Sequence, residues 1–169
     1  MSKKMNRRTF IKASVAAGGA AAILPQTIFS SEAKKRVKLG FIGTGLRGQW
    51  MLWLAAKYPD VDIAAICDID NRMIADALKI IKDGGKPEPH IYKNGDEDFL
   101  NMLNNEELDG VYIATPWEWH HPMSVAAMKS GKHVGTEVPA ALTVEDCWDL
   151  VKTSEQSGKP VSYTHLRAH

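Results

Sequence analysis

Cysteine is scarce: the 169 residues hold two, Cys67 and Cys147. That excludes a disulfide framework, and the pair lacks the spacing of a zinc site. The plainest reading of both is a small buried apolar side chain. Long apolar runs are missing too. Ala13–Leu24, the stretch that comes nearest, has 12 residues, whereas a membrane-spanning helix takes about 20. An excess of either charge is also lacking, since 21 Lys and Arg face 20 Asp and Glu. The balance hides a split. Residues 1–36 carry eight basic residues and one acid, Glu32; from Val37 onward 13 basic residues face 19 acidic ones. The body of the chain is mildly acidic, which argues against nucleic acid as a partner, because that surface needs clustered basic residues. With 44% hydrophobic, 24% charged and 8% aromatic residues, the composition also excludes disorder and collagen. The length suits one domain of roughly 100–150 residues plus extras.

The N-terminus reads as an export signal outside the fold. Lys3, Lys4, Arg7 and Arg8 form a basic head, Ala13–Leu24 a weakly apolar run, and Pro25 ends it. Ser31-Glu32-Ala33 offers small residues at a cleavage site after Ala33. No cysteine lies near it to carry a lipid, so no stable membrane anchor is expected. Asn6-Arg7-Arg8-Thr9-Phe10-Ile11-Lys12 resembles the twin-arginine signal, which implies the twin-arginine translocase as a partner and a periplasmic or exported location. That route carries proteins already folded, often around a cofactor.

Along the mature chain, apolar runs and helical stripes alternate. Strands are predicted at Arg36–Ile42, Val61–Cys67, His90–Tyr92, Gly110–Ala114 and His133–Thr136. Helices are predicted at Leu46–Lys57, Asp70–Lys82, Asp96–Leu103, His121–Ser130 and Thr143–Ser157. In the first helix Leu46, Trp50, Trp53, Leu54 and Tyr58 form the expected core-facing stripe. In the fourth, Pro122 is expected in the first turn. Such alternation demands parallel strands with crossover helices, a doubly wound α/β sheet of the Rossmann kind. Ligands of such sheets bind beyond the carboxyl ends of the strands, which directs attention to the loops at 43–48, 68–70, 115–120 and 137–139.

Gly43-Thr44-Gly45-Leu46-Arg47-Gly48 is G-x-G-x-x-G between a strand and a helix. Gly43 permits a tight turn, Gly45 lets backbone approach a pyrophosphate, and Gly48 allows close helix–strand packing. The helix N-terminus supplies free N–H groups to the anion. Asp68, 20 positions past Gly48, ends the next strand. A carboxylate there accepts ribose hydroxyls and repels a 2′-phosphate, favouring NAD over NADP. The competing readings are a plain strand–helix turn for the glycines and an N-cap for Asp68. Arg47 either neutralises the pyrophosphate or is a solvated helix residue. Trp117-Glu118-Trp119-His120 follows the fourth strand. There Trp117 could wall the nicotinamide and His120 could donate to a ribose or substrate hydroxyl; aromatic packing and helix capping are the alternatives. No third ligand at a characteristic spacing supports a metal site at His120-His121. In Glu137-Val138-Pro139, after the fifth strand, Pro139 is a candidate for a cis bond.

These loops together resemble the glucose–fructose oxidoreductase, inositol dehydrogenase and rhizopine-catabolism (Gfo/Idh/MocA) family. The matching residues are Gly43–Gly48, Asp68, Ala114-Thr115-Pro116, the His121–His133 segment and Glu137-x-Pro139. Dehydrogenases of the family read E-K-P, with the lysine assisting proton transfer. Here that position is Val138, which moves no proton. Trp117-Glu118-Trp119-His120 with Glu137-Val138-Pro139 resembles instead the NAD-dependent glycoside hydrolases of family 109. That resemblance implies NAD contacts from Leu46, Arg47, Asp68, Trp117, Glu118, Trp119, His120, Glu137 and Val138. It places the catalytic residues, unidentified in this chain, in a C-terminal α/β domain that the chain does not include.

The domain organisation expected is a signal at 1–33, an NAD-binding domain at 34–161 and a non-native tail at 162–169. The resemblance implies a sugar or glycoside as substrate and redox-neutral hydrolysis. Hydride leaves C3 of the sugar for NAD⁺, the C2 proton is removed, the C1 leaving group is eliminated, water adds and the hydride returns. Export favours this cycle, because free NAD is scarce outside the cytoplasm and a bound cofactor must regenerate itself. An exported sugar oxidoreductase with tightly bound cofactor is the alternative, and a non-catalytic binding protein is a third class. This chain by itself is expected to show no turnover. A homo-oligomer of the whole protein stays open.

Overall fold

A computed structural model describes residues 36–163, and the structural statements below concern those residues. The export signal at 1–33 and residues 164–169 of the expected tail lie outside the described residues.

Six parallel strands stand in the order β3-β2-β1-β4-β5-β6. They are β1 (Val37–Ile42), β2 (Val61–Cys67), β3 (His90–Tyr92), β4 (Gly110–Ile113), β5 (His133–Thr136) and β6 (Val161–Tyr163). Five helices connect them: α1 (Leu46–Ala56), α2 (Asn71–Asp83), α3 (Asp98–Asn105), α4 (Trp117–Lys129) and α5 (Val144–Ser157). β6 takes in Ser162 and Tyr163, so the sheet runs two residues past the boundary expected at position 161.

The pleat divides each strand between two cores. Phe41, Ile63 and Ile66 pack with Leu52, Ile74, Ala77 and Ile81 of α1 and α2. Ile42, Ala65, Val111, Ile113 and Val134 pack on the other face with Phe99 and Met102 of α3, Met123 and Met128 of α4, and Leu150 of α5. Residues buried on both sides of the sheet explain why the strands read as continuous apolar runs.

Helix ends follow local chemistry. Asp70 caps α2 by accepting from the Arg72 N–H at 2.8 Å, and Thr143 caps α5 by accepting from the Asp146 N–H at 3.1 Å. Gly131, at a φ of 76°, turns the chain out of α4.

Cys67 is buried as expected but Cys147 is exposed, and two further expectations fail. The stripe predicted to face the core from α1 faces outward: Leu46 is 87% exposed, Trp50 50% and Trp53 47%, and Tyr58 is exposed as well. The buried face is Gly48, Leu52 and Ala56, four residues apart. α1 lies too close to the sheet for indole rings to fit between them. Second, α4 begins at Trp117 rather than His121, with Pro116 at its N-cap, so Pro122 is the sixth helical residue and not part of the first turn. Its missing N–H forfeits one helical bond, to the carbonyl of the exposed Glu118, where water can substitute.

Candidate functional site

Strand order reverses between β1 and β4, and the crevice of a doubly wound sheet opens at such a switch point. A cleft of about 290 Å³ lies there, lined by Gly43, Gly45, Asp68, Ile69, Met73, Thr115, Pro116 and Trp119 among others.

The three glycines of the turn meet different demands. Gly43 has a φ of 86°, and a Cβ on it would stand 2.7 Å from the backbone of Ala114. A Cβ on Gly48 would stand 2.1 Å from the carbonyl oxygen of Gly43, so α1 is pressed directly onto the end of β1. Gly45 is the opposite case: a Cβ there would meet nothing within 4 Å. The space beside Gly45 opens at the start of α1, where the first N–H groups lack helical partners. No side chain caps this end of α1 and no acidic residue lies in its first turn. An anion would find donors and the positive end of a helix dipole there. The residues present therefore fit a dinucleotide: a gap that a side chain would fill, with unclaimed backbone donors at its edge.

Asp68 stands beside this turn. One carboxylate oxygen, Oδ2, accepts from the Thr44 N–H at 2.5 Å and from the Thr44 hydroxyl at 2.9 Å; the other, Oδ1, accepts from the Asp70 N–H at 2.9 Å. The N-cap of α2 is Asp70, so capping is not the task of Asp68. The adjacent Cys67 also lines the cleft, but burial, reinforced by the Asp98 and Asp68 carboxylates, pushes its thiol up to about 12. At neutral pH it is a protonated, inert group.

Arg47 is exposed on the first turn of α1 and pairs within the protein. Its Nε donates to Glu137 Oε1 at 2.5 Å, and its guanidinium lies 5.0 Å from the centre of the Trp50 ring. The same Glu137 oxygen accepts from the Tyr112 hydroxyl. The Glu137 hydrogen bond raises the Arg47 pKa above its ordinary value. This pair ties the start of α1 to the end of β5. Tyr112 went unnoticed in the sequence because it reads as one more apolar strand residue; no local spacing links it to Glu137.

The Trp117–His120 turn divides its residues. Trp119 lines the cleft and meets Phe99 edge-on at 6.3 Å. Trp117 and Glu118 are exposed on the first turn of α4. His120 is buried, at 1% exposure, with Nδ1 2.7 Å from the Pro139 carbonyl and Nε2 2.8 Å from the Thr115 carbonyl. Both ring nitrogens face backbone carbonyls; a neutral imidazole has one N–H, so one of the two carbonyls accepts from it. The ring joins the loop after β4 to the loop after β5, where the Val138–Pro139 bond is cis and Val138 is partly exposed. His121 turns the other way, its Nε2 2.9 Å from Asp149 of α5. Leu46 projects into solvent at the start of α1.

Comparison with known proteins shows the family and the fold. Residues 37–165 match the family described as "Oxidoreductase family, NAD-binding Rossmann fold", and residues 4–25 match the twin-arginine translocation signal sequence. A glycosyl hydrolase family 109 protein of Parabacteroides distasonis is 46% identical over 168 residues, covering 90% of this chain and 36% of that protein. An alpha-N-acetylgalactosaminidase of Tannerella forsythia is 45% identical over 171 residues, with the same coverages. The chain thus spans about a third of these relatives' length. Among solved structures, scyllo-inositol dehydrogenase from Lactobacillus casei, with bound NAD(H) and scyllo-inositol, superposes with a TM-score of 0.66 at 24% identity, over 77% of this chain and 36% of that one. An NAD-binding protein from Listeria innocua gives 0.63 at 26% identity, over 77% and 35%. The protein is exported by the twin-arginine route, and from Val37 onward it belongs to the Gfo/Idh/MocA oxidoreductase family as that family's NAD-binding Rossmann domain.

Proposed function

We propose that this is the cofactor-binding part of an exported glycosidase that acts through bound NAD. The observation that carries the reading is the junction of Asp68 with the glycine turn inside the switch-point cleft. Gly43, Gly45 and Gly48 would shape the pyrophosphate seat, and the N–H groups of Leu46, Arg47 and Gly48 would face it. Asp68 would take the adenosine ribose, and Thr115, Pro116 and Trp119 would flank the cofactor across the cleft. Trp117, Glu118, Glu137 and Val138, at the ends of β4 and β5, would border the nicotinamide side. His120 would act indirectly, by holding their loops together. Bound NAD would supply a hydride acceptor for sugar oxidation and the donor that reverses it.

Two features favour hydrolysis over net oxidation. Val138 occupies a position where a side chain that moved protons would serve a dehydrogenase, and an aliphatic group cannot do so. The relatives named as glycosidases are also far more similar in sequence than the solved dehydrogenases. A sugar oxidoreductase that reduces one sugar for each one it oxidises is the second reading, favoured by the oxidoreductase family itself.

The test supplies purified full-length protein, catalytic domain included, with whatever cofactor it carries and none added, with an aryl α-N-acetylgalactosaminide. Phenol release over many turnovers without net NADH is the expected result. Sugar oxidation that depends on an added ketose, with no phenol released, would replace this reading with the second. Bound NAD with neither activity would leave a sugar- or partner-binding role.

A further inference from the structure

Thr44 stands between the first two glycines of the turn and is fully buried, at 0% exposure. Its polar groups all have partners. The N–H and the hydroxyl both donate to Asp68 Oδ2, at 2.5 and 2.9 Å, and the carbonyl accepts from Gln49 Nε2 at 3.0 Å. A carboxylate oxygen offers about two lone-pair sites. Oδ2 therefore has both filled. Oδ1 accepts one bond, from the Asp70 N–H at 2.9 Å, and keeps a second site, and Asp68 lines the cleft.

We propose that Thr44 is a positioning residue that sets cofactor choice: it fixes the Asp68 carboxylate so that the one open site on Oδ1 takes a ribose hydroxyl, and it prevents that carboxylate from turning aside for a 2′-phosphate. This rests on the reading of Asp68 as the ribose acceptor. An aspartate has two side-chain torsions, and one held only by its own strand can rotate away from an incoming phosphate. Here rotation breaks two charge-assisted bonds at once, both to a residue that is fully buried and held at its carbonyl by Gln49. The geometry also departs from the simple expectation of a carboxylate clasping both hydroxyls with both oxygens, since one oxygen is already spent inside the protein.

The experiment is calorimetric titration of the full chain with NAD⁺ and with NADP⁺, beside a thermal melt of each variant. Thr44→Val keeps the side-chain shape and the N–H but removes the hydroxyl. The preference for NAD⁺ over NADP⁺ should shrink about tenfold. Thr44→Ser, which keeps the hydroxyl, should retain the wild-type ratio. If Thr44→Val does not fold, Thr44→Ala takes its place with the same expected ratio. Equal loss of affinity for both nucleotides, with the ratio intact, overturns the proposal, because a merely structural residue would behave so. Asp68→Ala separates the two layers. If it abolishes discrimination while Thr44→Val does not alter it, the positioning role is wrong and the Asp68 reading stands. If Asp68→Ala binds both nucleotides as the wild type does, the Asp68 reading fails and this inference falls with it.

Discussion

Gly48 and Gly45 occupy the same turn and differ only in what surrounds them, so the same substitution should have opposite effects. In Gly48→Ala the new methyl would stand 2.1 Å from the Gly43 oxygen and 3.0 Å from its carbonyl carbon, where ordinary contact begins at 3.4 Å. Both atoms are backbone, so no side chain can swing clear. Replacing glycine by alanine inside a helix should stabilise by about 1 kcal/mol. Forcing α1 away from β1 should cost about 3 kcal/mol, the upper end for overpacking, because the clash is with backbone and the Leu52 and Ala56 packing must shift with the helix. The net loss of about 2 kcal/mol corresponds to a melting point roughly 6–10 °C lower for a domain of this size. Gly45→Ala meets nothing within 4 Å, and the backbone there, at φ −65° and ψ −171°, suits any residue. Its melting point should stay within about 2 °C of wild type, yet its NAD affinity should fall at least tenfold, about 1.4 kcal/mol, because the methyl fills the approach to the helix N-terminus. Calorimetric melting and NAD titration of both variants measure the two effects separately. A Gly48→Ala protein as stable as wild type would refute the packing argument, and a Gly45→Ala protein binding NAD normally would refute the placement of the pyrophosphate.

Three further outcomes can be measured on the same preparations. Leu52→Ala should destabilise by about 2–5 kcal/mol in denaturant unfolding, whereas Trp50→Ala, on the exposed face, should cost about 1 kcal/mol or less; comparable losses would contradict the orientation of α1. The folded state holds the Cys67 thiol at about 12 against an ordinary 9, so its contribution is complete below pH 9 and is lost as pH climbs from 9 towards 12. Melting points should fall across that window and fall less in Cys67→Ala; Tyr92, also held near 12 by burial and then by Glu106, accounts for the slope that remains above pH 10. His120→Phe should cost about 1–3 kcal/mol by stranding whichever of the Thr115 and Pro139 carbonyls accepts the ring N–H, and an unchanged melting curve would remove its role as a strut.

What the sequence disclosed was local and periodic. Strands buried on both faces announce themselves as apolar runs, and the turn at 43–48 carries its own spacing, so the sheet and the position of Asp68 at the end of β2 were legible. The orientation of α1 was not. Apolar periodicity gives weight to large side chains, and Trp50, Trp53 and Leu46 outweigh Gly48 and Ala56 in any such reading. The close approach at Gly48 reverses the outcome: small residues face the sheet and the indoles lie outside. The start of α4 misled for a related reason. Proline at the first turn is the commoner arrangement, and nothing local to Pro122 reveals that the carbonyl it leaves without a helical partner belongs to an exposed residue.

His120 marks the deeper limit of a sequence reading. A histidine beside tryptophans at the end of a strand suggests a donor aimed at a ligand, because residue type and loop position are all that the sequence supplies. Its partners are backbone carbonyls 5 and 19 residues away, at positions where any residue has a carbonyl, so no composition or spacing can identify them. Arg47 and Glu137, 90 residues apart, make the same point with charges. Both contacts join the ends of strands that lie next to the switch point, and both hold loops rather than reach outward. Groups that contact a cofactor must leave donors or acceptors unspent. His120 is buried with both ring nitrogens against backbone carbonyls, while Asp68 keeps one lone-pair site and the first N–H groups of α1 lack helical partners. On that criterion the groups left open at the cleft are the first N–H groups of α1 and one site on Asp68, and the contacts of His120 and Arg47 hold the loops around them.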